Sequence, residues 1–84
     1  MQLSDEEIRR LGEEYYESIR PSLLSRYYGK YIAIDPSSYD WFVGDTVAEA
    51  LAKARERHPG RKFFVAKIGA ERGVIGVFHR FARG

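Results

Sequence analysis

The sequence predicts an α+β protein in the order α-β-β-α-β-β, with two helices on one face of a four-stranded, mostly antiparallel sheet. Three observations predict it. Ser4-x-x-Glu7 and Thr46-x-x-Glu49 are capping boxes, each opening a stretch with apolar residues at helical spacing. Four short runs, 30–35, 39–43, 62–68 and 74–81, are rich in β-branched and aromatic residues. Turn chemistry joins each pair of runs, Asp35-Pro36-Ser37-Ser38 in the first and Gly69-Ala70-Glu71-Arg72-Gly73 in the second. At 84 residues the chain is read as one domain, 1–84, with an N-terminal helical segment, 1–28, ahead of a ββαββ core, 29–84.

In the first helix Ile8, Leu11, Tyr15 and Ile19 form one apolar face, and Asp5, Glu6 and Glu7 suit the positive end of the helix dipole. Pro21 lacks an amide and should end or kink this helix. Leu23 and Tyr27 continue the stripe toward Gly29, a residue suited to helix termination. Val47, Ala50, Leu51 and Ala54 mark the buried face of the second helix, which His58-Pro59-Gly60 stops. The expected core is Ile8, Leu11, Tyr15, Ile32, Ile34, Phe42, Val47, Leu51, Phe64, Ile68 and Val77.

Composition excludes several classes. No apolar run approaches the ~20 residues of a membrane-spanning helix, so no membrane partner is expected. Zero cysteines exclude a disulfide, a thiolate metal site and a cysteine nucleophile. The acidic start, Ser4-Asp5-Glu6-Glu7, is unlike a signal peptide, so the expected address is the cytoplasm. There is no Asn, Gln2 and Met1 stand alone of their kinds, and Arg outnumbers Lys, a bias shared with thermophile proteins. The net charge of +2 conceals an acidic half, 1–50, and a basic half, 51–84. Two such halves can attract each other within a fold or across a dimer, or the basic one can meet nucleic acid.

Convergent catalytic chemistry is sparse. His58 and His79 have no second ligand at metal-binding spacing, and no metal or other cofactor is expected. Asp35, Asp40 and Asp45 do not match a calcium loop; Asp35 reads as a turn starter and Asp45 as a helix-start residue. Ser37 and Ser38 have no histidine base nearby in sequence. The glycine run 69–76 lacks a G-K-[ST] ending and precedes a strand, so it reads as a hairpin loop rather than a phosphate cradle. The expectation is a non-enzymatic protein with no catalytic residues.

Aromatic residues are the excess. They make up 14% of the chain, and Tyr27, Tyr28, Tyr31, Tyr39, Trp41 and Phe42 crowd the first hairpin, more than one face can bury. Tyr and Trp favour protein interfaces. The last run is apolar in both alternating rows, as a sandwiched or partner-covered strand would be. The candidate protein interface is therefore Tyr31, Tyr39, Trp41, Val77, Phe78 and Phe81, serving a homo-oligomer or a partner protein encoded nearby. The alternative partner is single-stranded nucleic acid, with Lys62, Lys67, Arg72, Arg80 and Arg83 on phosphates and Tyr31, Trp41 or Phe63 stacking on bases.

Gly29-Lys30-Tyr31-Ile32-Ala33-Ile34-Asp35, Gly44-Asp45-Thr46 with Glu49-Ala50-Leu51 and Ala54, and Ala66-Lys67-Ile68-Gly69 occur in that order. This pattern resembles a family of small bacterial proteins of unestablished function with the signature G-K-Y-[VI]-A-[VI]-D … G-D-T-x-x-E-A-L … R-I-G. The strand–Gly-Asp-Thr–helix passage, residues 44–54, is also similar to HicB-type antitoxins. The Ser37-Ser38 turn, where such proteins often have Thr-Gly, and the extended end, 74–84, depart from the pattern. The resemblance implies an antitoxin-like, non-catalytic partner-binding protein and brings no catalytic or ligand residue with it.

Overall fold

A computed structural model describes residues 3–69 and 74–78. The elements are α1 (Asp5–Tyr27), β1 (Tyr31–Asp35), β2 (Asp40–Gly44), α2 (Val47–Arg57), β3 (Phe63–Lys67) and β4 (Val74–Phe78). They form a four-stranded sheet in the order β2-β1-β3-β4, every neighbouring pair antiparallel. The class, the element order and the two hairpins are those the sequence predicts; β1 and β3 lie inside, β2 and β4 at the edges.

The helices do not share a face. Ile8, Tyr16 and Leu23 of α1 cluster with Ile32, Ile34, Phe64, Ala66 and Ile68, whereas Ala50, Leu51 and Ala54 of α2 cluster with Ala33, Phe63 and Val65. Successive strand residues point to opposite sides, so the two helices sandwich the sheet. The reason is legible in β1 and β3, whose Ile32-Ala33-Ile34 and Phe63-Phe64-Val65-Ala66 are all fully buried. A continuous apolar strand needs cover on both sides. The cover is staggered: α1 lies over β1, β3 and β4, while α2 lies chiefly over β2 and β1. Among the described residues two ledges remain beside the helices, one over β2 on the α1 side and one over β4 on the α2 side.

The α1 capping box forms in full, Glu7 N donating to Ser4 Oγ (3.1 Å) and Ser4 N to Glu7 Oε1 (2.8 Å). Pro21 neither ends nor interrupts the helix, which runs on to Tyr27. Pro21 and Glu17, whose carbonyl loses its donor, are both exposed, so water can satisfy that carbonyl. The buried line is Ile8, Gly12, Tyr16 and Leu23, with Tyr15 and Ile19 partly buried beside it and Leu11 only half-buried. Gly12 sets that line. A Cβ there would stand 2.4 Å from Phe64 Cβ, so the helix backbone rests directly on the central strand.

Of the expected core, Phe42, Val47 and Val77 are only half-buried, and Phe63 and Val65 are additional fully buried members. Thr46 caps α2 by accepting from Glu49 N (3.0 Å), but Glu49 reaches back to Asp45 N (2.6 Å) rather than to the capping residue. The two hairpins are tied at Gly29 (φ +87°), where Gly29 N donates to Ile68 O and Ile68 N to Lys30 O. In β4 the register slips between Val65↔Gly76 and Ala66↔Val74, leaving Ile75 as a bulge next to Gly76 (φ +149°).

Candidate functional site

The densest polar cluster gathers where the β1–β2 turn meets the C-terminus of α2. Asp35, 1% exposed, ends β1. Its Oδ2 accepts from Ser38 Oγ (2.8 Å) and Arg61 Nη1 (2.7 Å), its Oδ1 from Ser37 N (3.3 Å), and its backbone carbonyl from Tyr39 N (2.7 Å). It is the turn starter the sequence predicts, and it is also the buried centre of a network. His58 caps α2 and places Nε2 2.7 Å from Asp40 Oδ2, 3.4 Å from Ser38 Oγ, and Nδ1 3.7 Å from Asp35 Oδ2.

Those distances assign the protons. The carboxylate of Asp40 has none to give, so Nε2 carries the hydrogen and donates it. The same nitrogen therefore has no lone pair for Ser38, whose hydroxyl proton goes to Asp35. Asp40 and Ser38 both lie against Nε2, and Asp35 stands opposite Nδ1 beyond hydrogen-bond reach. The cluster locks the turn to the helix end. Among the described residues no group of three or more acidic or histidine side chains could hold a metal ion. His79 lies outside the described residues. The sequence shows neither the Arg61–Asp35 nor the His58–Asp40 bond, because both partners are brought together only by the packing of α2 on the first hairpin.

The bond from His58 holds the Asp40 carboxyl below its usual range, aided by the charges of His58 and Arg57 and by Ser38. Lys30 does the same to Asp45, and the Ser4 cap to Glu7; the Asp45 bond raises Lys30. Carboxylates with lowered pKa bind fewer protons folded than unfolded. Their stabilisation is complete above the unfolded value, about pH 4, and is lost as pH falls through the folded one. The Lys30 contribution is complete below about pH 10 and is lost above its raised value. Thermal midpoints are thus expected to fall as pH drops below about 4 and as it rises above about 10. Asp40→Asn should lower the plateau and make the acid limb shallower; an unchanged acid limb would contradict the Asp40–His58 bond.

The predicted interface residues are dispersed. Tyr31 and Phe78 belong to the α2 side and are half-buried, Val77 belongs to the α1 side, and Phe81 lies outside the described residues. Tyr39 (50% exposed) and Trp41 (37%) stand on the β2 ledge, Tyr39 against Tyr15 (ring centroids 4.9 Å) and Trp41 edge-on to Tyr27 (6.3 Å). The nucleic-acid set is not assembled either. Phe63 is fully buried, Tyr31 and Trp41 face opposite sides of the sheet, and Arg72, Arg80 and Arg83 lie outside the described residues. Lys62 pairs with Asp5 (2.6 Å) and Lys67 lies over the Tyr31 ring (5.7 Å). The acidic and basic halves meet inside one chain, through Asp5–Lys62 and Asp35–Arg61. No protein-family model, curated protein or solved structure matches the chain.

Proposed function

We propose that this protein is a non-catalytic interaction module that associates with a second copy of itself through the edge of β4. The observation that carries the reading is the contrast between the two sheet edges. β2 is guarded: Lys53 Nζ donates to the Val43 carbonyl (2.8 Å), and Asp40 opens the strand with its bond to His58. Charged side chains on an edge are the ordinary protection against strand pairing. β4 reads Val-Ile-Gly-Val-Phe with no charge at all, and the bulge leaves two successive apolar side chains exposed, Val74 at 37% and Ile75 at 43%.

Identical strands can pair antiparallel across a two-fold axis, each meeting the same uncharged surface. The non-catalytic part of the reading rests on the polar cluster, whose nucleophile and base are each committed to a carboxylate. Five-residue strands bury less than a permanent interface requires, so a weak, concentration-dependent dimer is expected. Val77 is unsuited to testing this, because it packs beneath α1. Sedimentation velocity over a concentration series should show a monomer–dimer equilibrium that Val74→Lys and Ile75→Lys each shift toward monomer by tenfold or more, with circular dichroism unchanged. A wild type that stays monomeric at the highest concentration, or lysine variants that dimerise equally well, would overturn it. An antitoxin-like role with a different protein as partner would show as a monomer that acquires mass only with that partner.

A further inference from the structure

We propose that Tyr15 and Tyr39 form an oxidative modification site, in which a one-electron oxidant joins the two rings by a carbon–carbon bond. Their ring centroids stand 4.9 Å apart with the planes tilted by 38°, so the rings are in contact. Each ring is held by its own element. Tyr15 rides on α1, partly buried beside the seat of Gly12 on Phe64. Tyr39 is anchored in the turn by the hydrogen bond from its amide to the Asp35 carbonyl (2.7 Å). It is also the one non-glycine residue with positive φ among the described residues, at 65°. A left-handed tyrosine is costly where Gly or Asn would serve the turn. Two reacting groups that a fold holds in contact react far faster than the same groups free in solution.

Competition for the oxidant is limited. There is no cysteine, and the one methionine is Met1, which leaves tyrosine and tryptophan as the main sites of one-electron loss. Tyr16 is buried, with its hydroxyl donating to the Lys67 carbonyl, Tyr27 meets Trp41 edge-on, and Tyr31 lies beneath Lys67. Tyr28 is exposed and its ring lies against Gly69. Tyr15 and Tyr39 are therefore the one pair of tyrosines in ring contact among the described residues, and Tyr39, half exposed, is open to the reagent.

The oxidant takes one electron from each phenol, and each hydroxyl proton passes to water. The two phenoxyl radicals couple through a new bond between one Cε of each ring, the carbon beside the one that bears the hydroxyl. The hydrogens on those two carbons then shift to the oxygens and restore both phenols. The balance is two ring C–H bonds broken, one C–C bond formed, two electrons to the oxidant and two protons to water. The product ties α1 to the first hairpin and closes a loop that narrows the unfolded ensemble, as a disulfide would, in a chain that has no cysteine.

Photogenerated ruthenium(III) tris-bipyridine, applied to the dilute intact protein, should produce dityrosine fluorescence and an intact mass lower by two hydrogens, with no larger species on a denaturing gel. Peptide mapping should join the segments that hold Tyr15 and Tyr39. Tyr15→Phe and Tyr39→Phe should each lower the yield by about tenfold or more, unfolding in urea should do the same, and Tyr28→Phe should leave it unchanged. Ile75→Lys should cross-link as the parent does, which separates this site from self-association through β4. A folded protein that yields no dityrosine under conditions where free tyrosine couples would overturn the proposal. So would a yield that neither phenylalanine variant nor urea lowers, or a map that joins other tyrosines or separate chains.

Discussion

Gly12→Val is expected to destabilise the fold by about 3 kcal/mol, a large share of the roughly 4–13 kcal/mol that stabilises a domain of this size. The Cβ of any residue at this position would fall 2.4 Å from both Cβ and Cγ of Phe64 and 3.0 Å from Cδ2. Phe64 is fully buried in a central strand and has no open space into which to retreat. The helix must lift from the sheet, and Ile8, Tyr16 and Leu23 would lose contacts together. Alanine recovers about 1 kcal/mol of helix propensity over glycine, so Gly12→Ala should be milder than valine and still net destabilising. Phe64→Ala alone should cost about 3–5 kcal/mol through the cavity it leaves. Combining it with Gly12→Ala should cost less than the sum, because two of the three close contacts disappear. Urea denaturation followed by Trp41 fluorescence measures all four variants. A Gly12→Val protein as stable as the parent would mean that α1 does not seat on Phe64.

Asp35→Ala carries the second large effect, about 3 kcal/mol of destabilisation. Its side chain accepts from Ser38, Arg61 and the Ser37 amide while almost wholly removed from solvent. Arg61, with 45% of its side chain exposed, and the exposed Ser37 and Ser38 can return to water; His58, 15% exposed, cannot. Asp35→Asn keeps the acceptor for the Ser37 amide and loses the ionic part, so about half the effect is expected. The loss should appear first in the turn, as faster amide exchange at Tyr39, whose N–H is bonded to the Asp35 carbonyl. An Asp35→Ala protein within about 0.5 kcal/mol of the parent would show that the network contributes no net stability.

The parts of the fold legible in the sequence are those encoded over short distances. Ser4-x-x-Glu7 states where α1 starts through two bonds between residues three apart, and Asp35 states the turn through bonds to Ser37, Ser38 and Tyr39. The placement of α2 on the opposite face is written in β1 and β3, where fully apolar runs replace alternation and demand cover on both sides. The α1 stripe departs from the expected Ile8, Leu11, Tyr15 and Ile19 because its pivot is Gly12, which contributes contact by lacking a side chain and so is invisible to a count of apolar residues. Pro21 is the reverse case: a residue that should break a helix stands where the carbonyl it deprives of a partner faces water. The polar cluster was legible only as separate residues, since Asp40, His58 and Arg61 become neighbours through tertiary packing alone.

The seat of Gly12 on Phe64 also bears on how the chain is made. Synthesis delivers α1 first, yet the strand against which its apolar line closes arrives only after both strands of the first hairpin and the whole of α2. Until then the helix has Ile8, Tyr16 and Leu23 with only the first hairpin to cover them. Contacts between such distant segments form late, since the loop they close must be paid for in entropy. A nascent chain paused before β3 is therefore the form of this protein most exposed to chaperones and to aggregation, and release of the third strand is the event that commits it to its native state.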